Sequence, residues 1–423
     1  MTCLNSSCIL PTTGTAPQTF AAALQFFAAA QCFLKRDDLP EAKVRNFESF
    51  DFIIVGGGTT GSVLANRLSE VKNWNILLLE AGDDAPIESD IPGFGYDIKD
   101  SKYNWKYVTA NNSDIDQAIV NGSINLSAGK MFGGSSGLNS MAYIRGNDRD
   151  YQSWYDAGNK HWSVHNVRRY FKKAESLQNQ EMLCDPSISS FYGYTGPLAI
   201  NKFNSTLRNT TNKLLKAFNE IGFKVVPDLN AAGLFGSGVV TTTVADGVRQ
   251  STCRAYLLPV KRRPNLKILK NAFVTKILIT NDTKTAFGVE VEKGKSKMVL
   301  YSTHEVILST GAIRSPQLLM LSGIGSKQHL YTNNISCLVD SPMVGQNLQD
   351  HLSVPIFIFG DYKNQDKNIL GKDQLGLKYI FDRLAESSTM TDIAAFYSTH
   401  KNVTSPECQL QVMIKPNKDS NLK

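Results

Sequence analysis

Between Gly129 and Gly146 the chain reads GKMFGGSSGLNSMAYIRG, a run whose residue types suit close wrapping of a flat ring with a polar edge. Gly133, Gly134, Ser135 and Ser136 carry almost no bulk, so the main chain can lie against such a ring and aim its N–H groups at the edge. Their hydroxyls and the Asn139 amide add donors for phosphate or carbonyl oxygens. Gly129, Ser140, Met141 and Ala142 complete the candidate set at this cluster. A flexible surface loop would use similar residues. Leu138, Met141, Tyr143 and Ile144 interleave with the small ones, however, which tucks the loop against a core.

Upstream, the apolar run Phe52–Val55 meets Gly56, Gly58 and Gly61 in the spacing G-x-G-x-x-G, the strand-to-helix turn of a dinucleotide fold. Gly56 allows the tight turn, Gly58 lets the backbone approach a pyrophosphate, and Gly61 lets the following helix pack closely on the strand. Thr59 and Thr60 stand at the start of that helix, where unpaired N–H groups and the helix dipole favour negative charge. Val63, Leu64 and Leu68 keep a helical period. Ile76–Leu79 form a second buried strand that ends at Glu80 and Ala81, where a carboxylate suits ribose hydroxyls. A glycine-rich turn that binds nothing is the plain alternative; the flanking strand, helix and acid argue against it. The fingerprint alone does not separate NAD from FAD. The second cluster favours a flavin, because an NAD enzyme would leave Gly129–Gly146 unexplained.

The rest of the chain frames these clusters. Leu266–Leu269, Ala272–Thr280, Ala286–Glu292 and Lys297–Tyr301 are strand-like runs separated by Asn-Asp and Lys-Gly-Lys turns, an expected antiparallel meander inserted in the dinucleotide domain. Val306–Leu308 reads as a further buried strand. Gly311 and Ala312 then let the backbone pass close to a neighbour. Ser315 and Pro316 form an N-cap and first-turn pair for a helix over Gln317–Leu321, and Gly323 stops it. Standing alone, that segment would equally be a structural helix without a ligand. Gln409–Ile414 alternates like a strand.

With these motifs in this order the chain resembles the glucose-methanol-choline (GMC) oxidoreductase family, in the style of its insect glucose-dehydrogenase-like branch. Gly129–Gly146 corresponds to the first family signature and GAIRSPQLLMLSGIG, Gly311–Gly325, to the second. LLLEAGDD from Leu77, the run from Arg145 to Glu175, RPNLKILKNAFVTKIL from Arg263 and VGQNLQDH ending at His351 also match, so the likeness covers roughly residues 48–355. The resemblance implies an α/β fold with α+β insertions. A Rossmann-like FAD-binding domain would span 48–350, with part of an interleaved, antiparallel-sheet substrate domain inserted at about 180–240 and continued, incomplete, over 351–423. It also implies FAD as cofactor, with Val274 placing its backbone beside the adenine. The substrate would be a small-molecule alcohol or sugar, and the electron acceptor is not readable.

Removing a hydride from an alcohol carbon needs an acceptor and a base that takes the hydroxyl proton. A flavin supplies the first. In the family, a histidine in the C-terminal part, with a His or Asn soon after, supplies the second. None of the six histidines, His161, His165, His304, His329, His351 and His400, stands in that motif, so no catalytic residue is assigned and the base is expected beyond Lys423. His400 and Asn402 spell His-x-Asn without its surroundings. His351 matches the family's Asp-His pair and is expected to be a hydrogen-bonded structural residue. The polar tail over 416–423 reads as a truncation; the alternative is a catalytically inactive flavin-binding or interaction protein. Some relatives attach their flavin through a histidine just before the Asn139 position. Leu138 stands here, implying noncovalent binding. Asn121–Ser127 lacks the Trp-Pro-Arg that often precedes the Gly-Lys pair in relatives.

Composition fits one large globular protein of 423 residues, expected as two intimately connected domains. The net charge of +7 is modest and dispersed apart from Lys261, Arg262 and Arg263. That triplet is expected in a solvated loop, and without aromatic interleaving or a basic stripe no nucleic-acid partner is implied. The seven cysteines show no C-x-x-C pair or zinc spacing, so no metal site is expected. Within the N-terminal segment 1–47, residues 20–34 resemble a signal-peptide core with Ala28 and Ala30 as an A-x-A site, and are too short for a stable membrane span. Secretion is expected on that basis, and a cytoplasmic location if the stretch is not a signal. Nine N-x-S/T sequons run from Asn5 to Asn402; Asn125, close to the ring-binding loop, is a poor glycan acceptor. With Cys3, Cys8 and Cys32 removed by signal cleavage, Cys184, Cys253, Cys337 and Cys408 would suffice for two disulfides.

Overall fold

The apolar run of β1 (Ser49–Val55) is buried continuously from Phe52 onward, which requires a neighbour on both sides and cover on both faces. A computed structural model supplies them. It describes residues 38–356 except 96, 112–121, 203–207 and 232, together with 391–400, 403 and 405–413. The candidate signal stretch, Cys3, Cys8, Cys32, several sequons and the polar tail lie outside the described residues. After β1 come α1 (Thr59–Leu68) and β2 (Ile76–Leu79), as the turn chemistry predicts. An irregular segment then carries α2 (Asp148–Asp156), α3 (Val164–Ala174) and β3 (Gly236–Val239). The chain returns as β4 (Leu266–Leu269), β5 (Phe273–Ile279), β6 (Ala286–Lys293) and β7 (Ser296–Leu308), followed by α4 (Gly311–Leu321). Last come β8 (Thr391–Tyr397) and β9 (Cys408–Met413).

The main sheet has the order β4-β2-β1-β7-β6-β5. Ile53, Val55, Leu77 and Leu79 face one core with Leu318 of α4; Ile54, Ile76 and Leu78 face the other with Ala65 of α1 and Phe132. This layering, helices on both faces of a largely parallel sheet, is the α/β architecture expected. A second, antiparallel sheet of order β9-β8-β3 closes over Val226, Leu229 and Leu234.

Three expectations require correction. Leu266–Leu269 is no part of the meander: β4 pairs parallel with β2, Leu266 opposite Ile76, as its buried positions Leu266, Ile268 and Leu269 require. Lys297–Tyr301 and Val306–Leu308 are one strand. The first half of β7 pairs antiparallel with β6 and the second half parallel with β1, and the polar Ser302 and Thr303 between them are satisfied by Asp51. Helix α4 begins at Gly311, so Pro316 is interior and Ser315 is no N-cap; its hydroxyl pairs with that of Thr310 at 2.9 Å. Gly323 does stop α4, in the left-handed region at φ 89°.

Arg263 also departs from the solvated-loop expectation. Its guanidinium donates to the Asn66 carbonyl at 2.6 Å and the Ser69 hydroxyl at 2.8 Å, tying down the end of α1. Cys184, Cys253, Cys337 and Cys408 are free thiols, against the expectation of two disulfides. Cys253 is buried, which pushes its thiol up to about 12 and leaves it inert at neutral pH. Among the described residues no helix is long and apolar enough to cross a membrane, and no group of acidic, His or Cys side chains could hold a metal.

Candidate functional site

The two glycine clusters meet. The amide of Gly133 donates to the Gly57 carbonyl at 2.8 Å, and the Thr59 hydroxyl donates to the Gly133 carbonyl at 3.3 Å. A Cβ at Gly134, where φ is 52°, would stand 2.8 Å from the Gly58 Cα, and one at Gly61 would stand 1.9 Å from the Gly56 oxygen. Neither can be built without moving backbone. Gly129 serves the same packing, since its Cβ would fall 2.3 Å from the Gly134 carbonyl carbon. Sequence reading missed two further members. A side chain at Gly57 would run into the Phe132 ring, and one at Gly82 into the Lys130 carbonyl. The run Gly56–Gly58 was a signal for the first; nothing local signals the second.

Around this contact the surface is open. Thr59, Thr60, Ser135, Asn139, Ser140 and Gly311 are exposed. A Cβ at Gly58 would have its nearest neighbour at 3.8 Å, and one at Gly311 would meet nothing within 4 Å. Both glycines stand at helix starts. The N-cap positions of α1 and α4, Gly58 and Thr310, make no side-chain cap hydrogen bond, and neither helix has an acidic residue in its first turn. Their first N–H groups are left without side-chain caps at the positive ends of two helix dipoles, and Thr310 lies against Gly56, a suitable setting for a diphosphate.

Glu80 organises the other side. One carboxylate oxygen accepts from Gly57 N at 2.7 Å and the other from Gly82 N at 2.8 Å. Burial raises its pKa to about 7 against those hydrogen bonds. Ala81, half-buried, follows directly. The loop after β4 closes on the same corner, with Ala272 N donating to the Glu80 carbonyl at 2.8 Å. Val274, two residues on, is a buried core side chain in β5 opposite Val291.

The end of the second cluster is held by a residue that sequence reading did not find. Arg249 is fully buried. Its Nε donates to the Ser89 carbonyl at 2.7 Å, while Nη1 reaches the Ser136 carbonyl at 3.2 Å and both the carbonyl and side-chain oxygen of Asn139 at 2.8 Å. The Asn139 side-chain oxygen also accepts from Met141 N at 3.1 Å. With that oxygen engaged twice, the exposed Asn139 amide presents its NH₂ outward as a donor. Met141 points inward, wholly buried against Val244 with φ at 61°, so only its backbone can serve the cradle. Ala142 leaves the cluster through a bridge to Thr242. Leu138 packs on Ile98 and Met131. Asn125 is exposed in a short strand opposite Val108.

Among the described residues, no histidine makes a hydrogen bond or ring contact with either glycine cluster. His351 is exposed; its amide meets Asp350. His400 is bound to Glu407 instead.

A family model described as GMC oxidoreductase matches residues 50–353. The chain belongs to the GMC oxidoreductase family. It is 38% identical over 396 residues to ecdysone oxidase of Bombyx mori, covering 94% of this chain and 58% of that protein. To glucose dehydrogenase [FAD, quinone] of Drosophila melanogaster it is 38% identical over 349 residues, 80% of this chain and 54% of the relative. The chain thus spans under three fifths of the length of these relatives. Among solved structures, a variant of Aspergillus oryzae RIB40 formate oxidase superimposes with a TM-score of 0.74 at 25% identity, covering 87% of this chain and 68% of that one. An FAD-dependent oxidoreductase from Chaetomium thermophilum does so with 0.71 at 29% identity, covering 82% and 62%. These matches bear out the α/β dinucleotide fold and the insect-type likeness. FAD is the cofactor of this GMC fold, and the open glycines beside two uncapped helix starts fit a dinucleotide diphosphate.

Proposed function

We propose that this GMC chain binds FAD noncovalently in the cradle and serves the oxidation of a CH–OH group in a small alcohol or sugar. The supporting observation is the meeting of Gly56–Gly61 with Gly133–Ser135 beside two uncapped helix N-termini. In this reading the N–H groups of Gly58, Thr59 and Thr60 hold the diphosphate, assisted by the start of α4 at Gly311. Glu80 and Ala81 receive the ribose, and the backbone at Val274 borders the adenine. Gly129, Gly133, Gly134 and Ser135 shape the surface for the ring, and Asn139, Ser140, Met141 and Ala142 line its far end. Gly61 contributes by letting α1 close on the turn. Bound FAD supplies the hydride acceptor; the hydroxyl proton goes to a base for which no described residue is a candidate. Leu138, buried and without a nucleophilic atom, supports noncovalent binding. The reading includes secretion, with residues 20–34 as signal.

The absence of any histidine contact with the glycine clusters among the described residues favours one second reading, a flavin-binding protein without catalytic activity of its own. One experiment addresses both. An anaerobic visible spectrum of the purified chain is recorded before and after adding glucose or a panel of primary alcohols. A flavin spectrum that bleaches supports oxidation, one that does not bleach supports the inactive reading, and a colourless protein that takes up no added FAD overturns both.

A further inference from the structure

Helix α3 reads VHNVRRYFKKA and carries no Asp or Glu. Solvated helices ordinarily mix signs, so that residues three or four apart offset one another. Lys172 and Lys173 in the last turn suit the helix dipole. Arg168 and Arg169, a turn earlier, have no such explanation. His165, Arg168, Arg169 and Lys172 fall at i, i+3, i+4 and i+7, and together they wall a cleft of about 490 Å³ floored by Arg145, Val164 and Phe191. No carboxylate among the described residues lines it.

Two of these cations are already answered. Arg145, almost fully buried, forks the Glu175 carboxylate, and Arg168 forks Asp148. Both guanidinium groups also stand over the Phe191 ring, at 5.1 and 5.2 Å, which holds that ring in place as a platform. Among the described residues, Arg169 and Lys172 meet only neutral acceptors, the Tyr170 hydroxyl at 3.4 Å and the Ser190 carbonyl at 2.8 Å. A neighbouring cavity beyond Lys173 is different: it contains Glu70, paired with Arg67, and its Arg254 is paired with Asp90. Of these two clefts, the one beside α3 combines uncompensated positive charge with an apolar floor.

We propose that this cleft is a binding site for a small organic anion. The sulfate, phosphate or carboxylate end sits between Arg169 and Lys172, where a flexible ammonium and a planar donor fork can both reach it. The flat apolar body lies on Phe191 and Val164. The proposal does not rest on the flavin reading: Arg145 at the floor comes from the Gly129–Gly146 run, but Arg169 and Lys172, which hold the anion, belong to neither glycine cluster.

The test is calorimetric titration of the full chain with naphthalene-2-sulfonate, with its neutral analogue 2-naphthylmethanol, and with inorganic sulfate as competitor. Saturable one-site binding of the sulfonate is expected, at least tenfold tighter than the alcohol, displaced by sulfate and weakened at least tenfold in Arg169→Glu/Lys172→Glu. Both positions are exposed, so the variant should melt like the parent; if charge reversal disturbs the melt, Arg169→Gln/Lys172→Gln carries the test. Equal sulfonate affinity in the variants, equal affinity for the neutral alcohol, or no saturable binding overturns the proposal.

Discussion

The dinucleotide core and the segment inserted in it solve the same local problem in opposite ways. A helix start leaves backbone N–H groups without partners. In the inserted segment four described helix starts are capped by side chains from within. Asn147 and Asp150 form a capping box at α2, Ser163 caps α3, and Asn179 and Asp185 cap the short helices Gln180–Leu183 and Pro186–Ser189. In the core, α1 and α4 are left open. Two buried carboxylates show a parallel difference, while Asp84, paired with Lys270 beside the core, and Asp228, met by Tyr192 and Ala231 N in the insertion, do not follow it. Glu175 in the insertion is forked by Arg145, whereas Glu80 in the core has two backbone N–H groups and no hydrogen-bonded cation. The open starts of α1 and α4 are those that border the cradle proposed for the cofactor.

The sharpest way to break this contrast is to give α1 the cap it lacks. Gly58 has an extended backbone, φ −73° and ψ −159°, that any residue can adopt, and room for a Cβ. Gly58→Asp should therefore fold, and because glycine is already a tolerated cap the new N-cap should stabilise the FAD-free protein by only about 0.3 kcal/mol. FAD should suffer far more. A carboxylate about 4 Å from a phosphate charge costs about 4 kcal/mol at an effective dielectric of 20, roughly a thousandfold in affinity. Flavin fluorescence titration and urea unfolding of the FAD-free protein measure the two arms. Retained FAD affinity would mean that the open start of α1 is not where the diphosphate lies.

A second prediction sharpens the carboxylate half of the comparison. Glu80 titrates near 7 in the fold against 4.5 when unfolded, chiefly because burial disfavours its charge. Between those values the folded state holds the extra proton, so stability is greatest below about pH 4.5 and declines as pH rises through about 7. The whole decline amounts to roughly 3 kcal/mol. Urea midpoints of the FAD-free protein from pH 5 to pH 8 should show this slope, and Glu80→Gln should lack it. FAD should flatten it, because ribose hydroxyls donating to Glu80 favour the ionised form. An unchanged slope in the variant would assign the titration to other groups.

The parts of the site that were legible in sequence are those encoded within one local run. Phe52–Val55, the glycine spacing, α1 and the strand ending at Glu80 each depend on neighbours a few residues away, and all formed as read. Contacts between distant runs carried no such signal. Arg249 looks like any surface arginine until the chain brings Ser89, Ser136 and Asn139 around it. Gly82 is required only because Lys130 passes over it. The four-residue β4 is too short for periodicity to say whether its partner is β5 or β2. The polar Thr303 and His304 hid the continuity of β7, because a strand end and a satisfied polar pair look alike in sequence. Met141 stands in the cradle by position and in the core by its side chain, as its interleaving with the small residues predicts.

The smallest effect tests whether the two regions are separate. Ser163 accepts from Asn166 N at 3.3 Å, a long bond for a cap, so Ser163→Ala should cost about 0.5–1 kcal/mol, at the low end for such substitutions. That loss should be the same with and without FAD. A ligand that binds only the folded state adds RT ln(1 + [L]/Kd), and a cap on α3 enters neither the affinity nor the unfolded state's failure to bind. Urea midpoints of parent and variant, each measured FAD-free and at saturating FAD, form a thermodynamic cycle. The coupling free energy between cap and cofactor should stay below about 0.5 kcal/mol, as for sites that share no partner. Stronger coupling would show that α3 and the cradle communicate. The connection between them is already visible, since Arg145 closes the Gly129–Gly146 run and also floors the cleft beside α3, so the cycle asks whether that shared segment carries energy or only position.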